Sequence, residues 1–324
     1  MIGQKLLKKG GRSKIFFSDI ANACSKELEG LGYHADVFLI PGGVGIRFLS
    51  GWQPHSISDL SHLPIKALDL SSIPAVDPSE FSEFSLESLS LPANFTFPFK
   101  KFSHLKLRKF SAQSALADDF ESLAGMPIED LNLSGSRVDQ LGFIHSMPLT
   151  SLDLSGTQVS DLRPLNEKGI ESLFLQKTKV DHLNSLSGCP LKHLNLNQTQ
   201  VCDLEALRGS PLQSLELRST RVSDLGPLME SPLEKLSLPG SPIRSISPLT
   251  FCPIQDLNIV GLKLTDLNPL REMHLNRLTI SPLELSSEDF SILEEIRLNF
   301  LLGPGDPPEQ TAQEFIEKYR KHYF

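Results

Sequence analysis

The most regular feature of the sequence is an alternation of apolar and polar residues that recurs every 21 positions. A Leu-x-Leu pair, or Leu-x-Ile near the end, begins at Leu131, Leu152, Leu173, Leu194, Leu215, Leu236, Leu257 and Leu278. Side chains along a strand point alternately to the two faces of a sheet, so each pair predicts a short strand with its leucines turned to a core. Within the unit 148–166, Val159, Leu162 and Leu165 supply further inward positions on the return path. A unit of about twenty residues cannot bury so many apolar groups alone, and we therefore predict stacked coils that share one core.

A column of hydroxyl side chains accompanies the leucines. The third position after the second leucine of each pair reads Ser136, Thr157, Thr178, Thr199, Thr220 and Ser241, and Leu262 follows. A hydroxyl at this position can bond the backbone of the next coil where the chain turns. We predict a hydroxyl ladder that ends at Leu262, as the C-terminal cap approaches.

The pattern L-x-x-L-x-L-x-x-T-x-V-x-D-L-x-P-L resembles the leucine-rich repeat, in the short form with a Pro-Leu convex turn found in internalins and protein-phosphatase regulators. More narrowly, the stretch PLTSLDLSGTQVSDLRPL resembles bacterial arrays linked to serine/threonine kinases. The resemblance covers roughly residues 32–324. It implies an α/β fold, a leucine-rich-repeat solenoid with a curved parallel sheet on the concave face.

Both ends of the predicted solenoid carry candidate caps. Residues 17–31 read as a helix capped by Ser18 or Asp19, with Gly30 just past its end. Two apolar runs within 35–49 flank Pro41, Gly42 and Gly43, which predicts a hairpin. A similar hairpin precedes the first coil of the kinase-linked arrays, so the resemblance implies that this hairpin is the N-terminal cap.

The C-terminal cap is predicted to be a helix. Asp306 is the expected N-cap, followed by Pro307 at the first helical position and Glu309 at the third. Its apolar face is formed by Ala312, Phe315, Ile316, Tyr319 and Tyr323. A last strand is expected before this helix, near residues 295–298.

The coils before Leu131 look less regular. Leu-x-Leu pairs begin at Leu68, Leu89 and Leu105, so the third pair comes earlier, and Leu131 later, than a regular step would place it. Eight phenylalanines concentrate in this half: Phe81, Phe84, Phe95, Phe97, Phe99, Phe102, Phe110 and Phe120. We interpret these rings as filler for poorly matched coils, and an aromatic binding edge is the alternative.

A solenoid grows in one dimension, so we expect one elongated domain despite the length of 324 residues. Five segments are predicted within it. They are a basic tail with a capping helix (1–31), the hairpin cap (32–60), irregular leucine-rich repeats (61–130), regular 21-residue repeats (131–280), and a last coil with the C-terminal capping helix (281–324).

Composition narrows the possible compartments and partners. A net charge of −8 and a pI near 5.6 argue against a nucleic-acid partner. The cysteines Cys24, Cys189, Cys202 and Cys252 form no disulfide framework, which favours a reducing compartment. The basic N-terminus lacks the apolar core of an export signal, and no stretch approaches a membrane span. We predict a cytoplasmic monomer, with a secreted or envelope-associated protein as the alternative.

No pattern in the sequence points to an enzyme. The nine histidines form no H-x-x-x-H pairing, and C-x-x-C, G-x-S-x-G and the kinase motifs H-R-D and D-F-G are absent. We predict no catalytic residue, cofactor or metal; a weak hydrolase within residues 71–130 is the alternative. The column Asp161, His182, Asp203, Asp224 and Asp266 is interpreted as caps on short helical turns rather than as a calcium site.

One part of the predicted concave face departs from the small polar side chains found elsewhere on it. Phe174 occupies a position where the other regular coils carry polar residues. The predicted partner-binding residues are Phe174, Gln176, Lys177, His193, Asn195, Asn197, Glu216 and Arg218. Mixed aromatic and charged patches of this kind anchor interfaces. We predict a non-enzymatic scaffold that binds a protein here, with an adhesin-like binder and a regulatory partner of a serine/threonine kinase or phosphatase as alternatives.

Overall fold

The computed structural model describes residues 13–49 and 56–323. The basic tail predicted at the N-terminus therefore lies almost wholly outside the described residues. The chain divides into two compact units, Met1–Asp153 and Leu154–Phe324, and the expectation of one elongated domain stays a prediction. The boundaries of the five predicted segments stay predictions.

The first unit begins with helix α1, Ser13–Gly30. Ile20, Cys24 and Leu28 are buried on one face of α1, as the sequence predicted. Its predicted start is wrong, because Ser18 and Asp19 lie inside the helix. Its end is set by Gly32, whose φ of 77° is left-handed. The N–H of Tyr33 then bonds the carbonyl of Leu28 at 2.8 Å, closing the last turn.

The predicted hairpin follows α1. Strands β1 (Ala35–Ile40) and β2 (Gly43–Phe48) pair antiparallel around Pro41 and Gly42. Val44, Ile46 and Phe48 are fully buried, so one face of β2 belongs to the core. The remaining strands of this unit are β3 (Ile65–Asp69), β4 (Ser88–Ser90), β5 (Lys109–Ser111), β6 (Asp130–Asn132) and β7 (Ser151–Asp153). From β2 to β7 each strand pairs in parallel with the next.

The strand expected at Leu105–Leu107 is wrong. The strand of that coil is β5, and Phe110 pairs with Leu89 on one side and Leu131 on the other. The centres of these strands therefore continue the regular spacing of the later coils, and the apparent irregularity of the Leu-x-Leu pairs disappears. Phe110 is 1% exposed and holds the position that leucine holds in other coils. The search for Leu-x-Leu missed this coil because its core residue is a phenylalanine.

The phenylalanines of this unit fill the core, as the filler interpretation predicted, but the coils that they fill are regular rather than poorly matched. All eight except Phe97 are buried. The rings of Phe81 and Phe102 meet edge to face with centroids 5.4 Å apart, and those of Phe99 and Phe110 at 5.7 Å. Edge-to-face contacts at such distances add to the stabilisation from burial.

The second unit repeats one coil with little variation. Its strands are β8 (Ser172–Phe174), β9 (His193–Asn195), β10 (Ser214–Glu216), β11 (Lys235–Ser237), β12 (Asp256–Asn258), β13 (Arg277–Thr279) and β14 (Phe300–Leu302). Neighbouring strands pair in parallel from β8 to β14. Single turns of 3-10 helix form the returns, as at Glu205–Leu207.

The last coil is longer than the others. Helix α2 (Ser287–Glu295) occupies its return path, and Leu301 of β14 pairs with Leu278. The strand expected at residues 295–298 is therefore wrong. Helix α3 spans Ala312–Tyr323 and buries Phe315, so the predicted C-terminal helix is present.

The predicted start of α3 is also wrong. Thr311 caps the helix, because its hydroxyl oxygen accepts the backbone N–H of Glu314 at 3.3 Å, and the carboxylate of Glu314 accepts the backbone N–H of Thr311 at 2.9 Å. Asp306 instead organises the preceding loop. Its carboxylate accepts hydrogen bonds from the N–H of Gly303 and the hydroxyl of Tyr319. The proline pair after Asp306 resembled a helix start, but the capping box lies further along the chain, at Thr311 and Glu314.

The hydroxyl ladder exists, although its bonds differ from the prediction. Each threonine hydroxyl donates to the carbonyl three residues earlier in its own coil, for Thr157, Thr178, Thr199 and Thr220 at 2.6, 2.7, 2.7 and 3.0 Å. Ser241 reaches another coil, where its hydroxyl donates to the carbonyl of Leu217 and lies 3.2 Å from the hydroxyl of Thr220. Because backbone bonds already join successive coils past the strands, as from Leu175 N–H to the Asn195 carbonyl, the hydroxyls serve the turn itself.

The predicted fold class is confirmed. Both units are stacks of short parallel strands with apolar centres and turn-like returns, which is a leucine-rich-repeat solenoid. A hairpin stands before the first coil and a helix follows the last one.

Candidate functional site

The predicted patch lies on three adjacent strands of the second unit. Phe174, Asn195 and Glu216 are paired in one row across β8, β9 and β10. The central residues of β8 and β9, Leu173 and Leu194, point to the core and are at most 2% exposed. Since side chains alternate along a strand, the row of Phe174 projects from the opposite face of the sheet.

Phe174 is half-buried, whereas the leucine beside it in the same strand is fully buried. The carbonyl of Phe174 accepts a hydrogen bond from Leu154 N–H at 2.9 Å, which fixes the backbone under the ring. Part of the Phe174 side chain is thus exposed to solvent, while its backbone is held in place. A rigid aromatic group loses little conformational entropy on binding.

The polar side chains next to Phe174 are held by hydrogen bonds within and between coils. Asn195 Oδ1 accepts from the backbone N–H of Asn197 at 3.0 Å. Asn197 Oδ1 accepts from the N–H of Arg218 at 2.6 Å, and Asn197 Nδ2 donates to Glu216 at 3.2 Å. These bonds restrict Asn195, Asn197 and Glu216 before any partner arrives.

The basic residues of the patch are more exposed than Phe174 and Glu216. Lys177, His193 and Arg218 are exposed, and Gln176 is half-buried. Lys177 and Arg218 have no ion pair within the part of the chain that the structure describes. The structure brings all eight predicted residues onto neighbouring coils of one unit, and their role in binding stays a prediction.

A backbone feature that the sequence analysis missed lies at the edge of the patch. Four coils place glycine with positive φ at one repeat position, namely Gly135, Gly156, Gly240 and Gly261. At the same position the coils of β8, β9 and β10 carry Lys177, Gln198 and Ser219, with φ of 58°, 60° and 54°, and the coil of β5, outside the patch, carries Ser114 with φ of 53°. Left-handed backbone costs a non-glycine residue roughly 1–2 kcal/mol. Such strain occurs at functional sites, and Ser114 shows that in this chain it is not confined to the patch.

This feature was readable in the sequence. The column Gly135, Gly156, Lys177, Gln198, Ser219, Gly240 and Gly261 interrupts a glycine series at three consecutive coils. The glycine series indicates a left-handed position, and each interruption marks a side chain kept there despite its backbone conformation.

The aspartate column caps the returns, as predicted. The carboxylates of Asp203, Asp224 and Asp266 each accept the backbone N–H two residues on at 2.8 Å. Asp161 does the same to Arg163 and also binds its guanidinium, which lowers the pKa of Asp161 to about 2. His182 differs, because its Nδ1 contacts Asp181. Within residues 13–49 and 56–323, no group of three or more potential ligands is placed to hold a metal ion.

Residues 71–130, where the sequence left a hydrolase open, contain one histidine. His104 Nε2 lies 3.1 Å from the carbonyl of Phe81. No hydrogen bond joins His104 to a serine or aspartate among the described residues of this stretch. A Ser-His-Asp arrangement would need such a bond.

The cysteines are unpaired in the described chain. Cys24, Cys189 and Cys252 are buried, and Cys202 is exposed. Burial raises the pKa of the Cys24 thiol to about 11 and also raises the pKa values of Cys189 and Cys252. Cys252 Sγ donates to the carbonyl of Leu228 at 3.2 Å, so it serves as a small buried residue.

Comparison with solved structures identifies leucine-rich-repeat proteins with the same fold. The internalin InlF from Listeria monocytogenes matches with a TM-score of 0.69 and 21% identity, over 79% of this chain and 80% of that one. A complex of TLR13 with ssRNA13 matches with a TM-score of 0.53 and 23% identity, over 76% of this chain and 41% of that one. The leucine-rich repeat domain of APL1B gives 0.51 and 16%, over 84% and 87%.

No protein-family model and no curated protein matches the chain. At identities this low, the likeness to the solved structures shows the fold alone. In the described residues, no helix combines the length and the apolar character needed to cross a membrane.

Proposed function

We propose that this protein is a non-enzymatic scaffold that binds a partner protein through the exposed face of β8, β9 and β10, which belongs to the concave face of the predicted solenoid. The observation that carries the proposal is the row of Phe174, Asn195 and Glu216, in which an aromatic ring stands beside polar groups that are already hydrogen-bonded. Interface centres combine aromatic anchors with ordered polar neighbours.

The patch is the centre of an interface rather than the whole of it. Strands lie about 4.8 Å apart, so β8 to β10 span only about 10 Å. A stable interface buries about 800 Å² on each partner, which is several times the area of such a patch. Neighbouring strands of the same face must therefore contribute a polar rim.

The chemistry of the patch favours a protein over a nucleic acid. Lys177 and Arg218 are its cations, and Glu216, which accepts a hydrogen bond from Asn197, adds a carboxylate. The chain as a whole carries a net charge of −8. Nucleic-acid binding depends on many cations that neutralise phosphates, and this patch offers few.

Affinity capture from a lysate tests the proposal. Immobilised intact protein is compared with a Phe174→Ala/Arg218→Glu double variant, and captured proteins are identified by mass spectrometry. Both side chains lie outside the buried core, so the double variant should remain folded. We expect a protein that the intact chain retains and the double variant loses.

Arg221→Glu is the matched control for this experiment. Arg221 is exposed three residues after Arg218 in the same coil and undergoes the same charge reversal. The control should retain the partner. If the double variant still binds the partner, the binding site lies elsewhere. If Arg221→Glu also loses the partner, the loss is caused by the change in net charge and not by the patch.

A further inference from the structure

A second candidate binding site lies in the coils around β12 and β13. Two neighbouring cavities of about 260 and 230 Å³ share Lys263 in their linings. The first is lined mainly by aliphatic side chains, including Ile259, Leu262, Leu264, Ile280 and Leu285. Lys263 and Arg244 line the second. We call the two cavities together the Lys263 pocket.

The aliphatic cavity exists because the core opens at this coil. In the preceding coils the residue two positions after the hydroxyl side chain is buried. These residues are Val201, Val222 and Ile243, which are at most 1% exposed. The equivalent Leu264 is half-buried, as is Leu285 in the next coil. The hydroxyl that binds the turn elsewhere is replaced by Leu262. Apolar core surface is consequently accessible from outside.

The entrance to the cavity is positively charged. Lys263 and Arg244 are exposed, and the described chain shows no ion pair to either of them. The cavity that they share has no acidic residue in its lining. Asp289 lines the aliphatic cavity, but its carboxylate is engaged by the N–H and hydroxyl of Ser286 at 2.8 and 2.7 Å. These neutral donors leave the carboxylate charged, so the linings of the two cavities together hold two cations, Lys263 and Arg244, and one anion, Asp289. Their net charge is positive.

The size of the aliphatic cavity limits what can occupy it. Pockets for drug-sized molecules usually measure about 300–1,000 Å³. A cavity of about 260 Å³ that opens to solvent suits one large side chain better than a whole cofactor. Apolar anchors of partner proteins are buried in pockets of this kind.

We propose that the Lys263 pocket binds an acidic peptide segment of a partner protein, with a leucine or phenylalanine of the segment in the aliphatic cavity. The carboxylates on either side of this anchor contact Lys263 and Arg244. The site is separate from the patch around Phe174, and it does not depend on the function proposed for that patch.

Fluorescence polarisation with labelled nine-residue peptides tests the proposal. The probe carries a central leucine flanked by aspartate and glutamate, and its controls carry a central alanine or lysine flanks. We expect saturable binding of the probe, weakened at least tenfold by either change in the peptide. A Kd of about 1 mM is the upper limit for recognition.

Variants of the protein assign the site. Lys263→Glu should weaken binding of the probe at least tenfold. Leu264→Asn should also weaken it, because the substitution makes the cavity polar. Arg221→Glu is the matched control, because Arg221 holds the same repeat position beside the closed Val222. It should bind as the intact protein does, and so should Phe174→Ala. Since Lys263 is exposed, its variant keeps the test valid even if Leu264→Asn unfolds.

Three results would overturn the proposal. They are the absence of saturable binding up to about 1 mM, binding that is unchanged by Lys263→Glu, and binding weakened equally by Arg221→Glu. Decanoate is a further probe, because it joins a carboxylate to an apolar chain without a peptide. If decanoate binds in a Lys263-dependent manner and the peptide does not, the occupant is a small amphiphile and the peptide assignment is wrong.

Discussion

The coils of β4 to β6 and those of β8 to β10 have the same repeat spacing but place their large side chains on opposite sides of the sheet. In the first region the variation is inside, where Phe99, Phe102 and Phe110 replace aliphatic residues. The exposed row of that region is small and polar, with Ser90, Ser111 and Asn132. In the second region the core repeats leucine, and the exposed row carries Phe174 and Glu216.

This difference separates what the repeat requires from what it tolerates. Backbone pairing fixes the spacing, and Phe110 shows that the buried centre accepts any large apolar group that its neighbours can surround. A changed side chain inside a coil is therefore accommodated by the core residues that pack around it. A large side chain on the exposed face is not needed for such packing, which is why the face of β8 to β10 is the better candidate for recognition.

The largest effect is expected in the phenylalanine-rich core. Phe110→Ala should lower the free energy of unfolding by about 3–5 kcal/mol, because it removes a ring packed against Phe99 and Phe102. Urea unfolding followed by circular dichroism measures the loss. Phe110→Leu should restore most of it, since leucine fills this position elsewhere. A loss as large for leucine as for alanine would show that the two regions are not equivalent.

The left-handed position gives a smaller effect of opposite sign. Lys177→Gly should raise the free energy of unfolding by up to about 1 kcal/mol, because relief of strain at φ 58° exceeds the added freedom of the unfolded chain. The same variant should weaken partner binding. Gly156→Lys is the mirror control and should destabilise by about 1–2 kcal/mol. If Lys177→Gly were clearly destabilising, the lysine would have a structural task instead.

The hydroxyl ladder belongs to the leucine-rich region and is absent from the coil of β5, where Ala115 holds the position. Thr199→Val should cost about 1 kcal/mol, because the bond of 2.7 Å to the Leu196 carbonyl is lost in a buried site. Thr250→Val removes a similar bond at an exposed turn and should cost less. If the two variants lost the same free energy of unfolding, burial would not be what makes the Thr199 hydrogen bond stabilising.

Thiol reactivity compares the two units without any mutation. In the native protein at pH 8, one of the four thiols should react rapidly with a disulfide reagent, and peptide mapping should identify it as Cys202. Burial protects Cys24 in the first unit and Cys189 and Cys252 in the second. All four should react in urea. Rapid native labelling of Cys24 would mean that α1 is not held against the core.

Much of the fold was predictable because it follows from a short period. The strands of β6 to β13, the hairpin and the C-terminal helix follow from alternation, turn residues and helical spacing. The strand β5 was missed because only leucine was expected at its centre. The starts of α1 and α3 were missed because several residues qualify as caps, and tertiary packing decides among them.

The candidate sites were less predictable. The sequence placed Phe174 and its neighbours on one face, since pairing at a fixed period determines which residues are adjacent. It did not predict the hydrogen bonds of Asn197, which depend on side-chain geometry. The Lys263 pocket was missed, although Leu262 marked the coil where the ladder ends, because the opening of the core at Leu264 is a packing outcome.

The most direct test of the central claim is calorimetric titration of the captured partner into the intact protein, Phe174→Ala and Arg221→Glu. If the face of β8 to β10 is the recognition surface, Phe174→Ala raises the Kd at least tenfold, about 1.4 kcal/mol of binding free energy, and Arg221→Glu leaves it within twofold. An equal Kd for all three proteins would contradict the claim and place the partner on another surface.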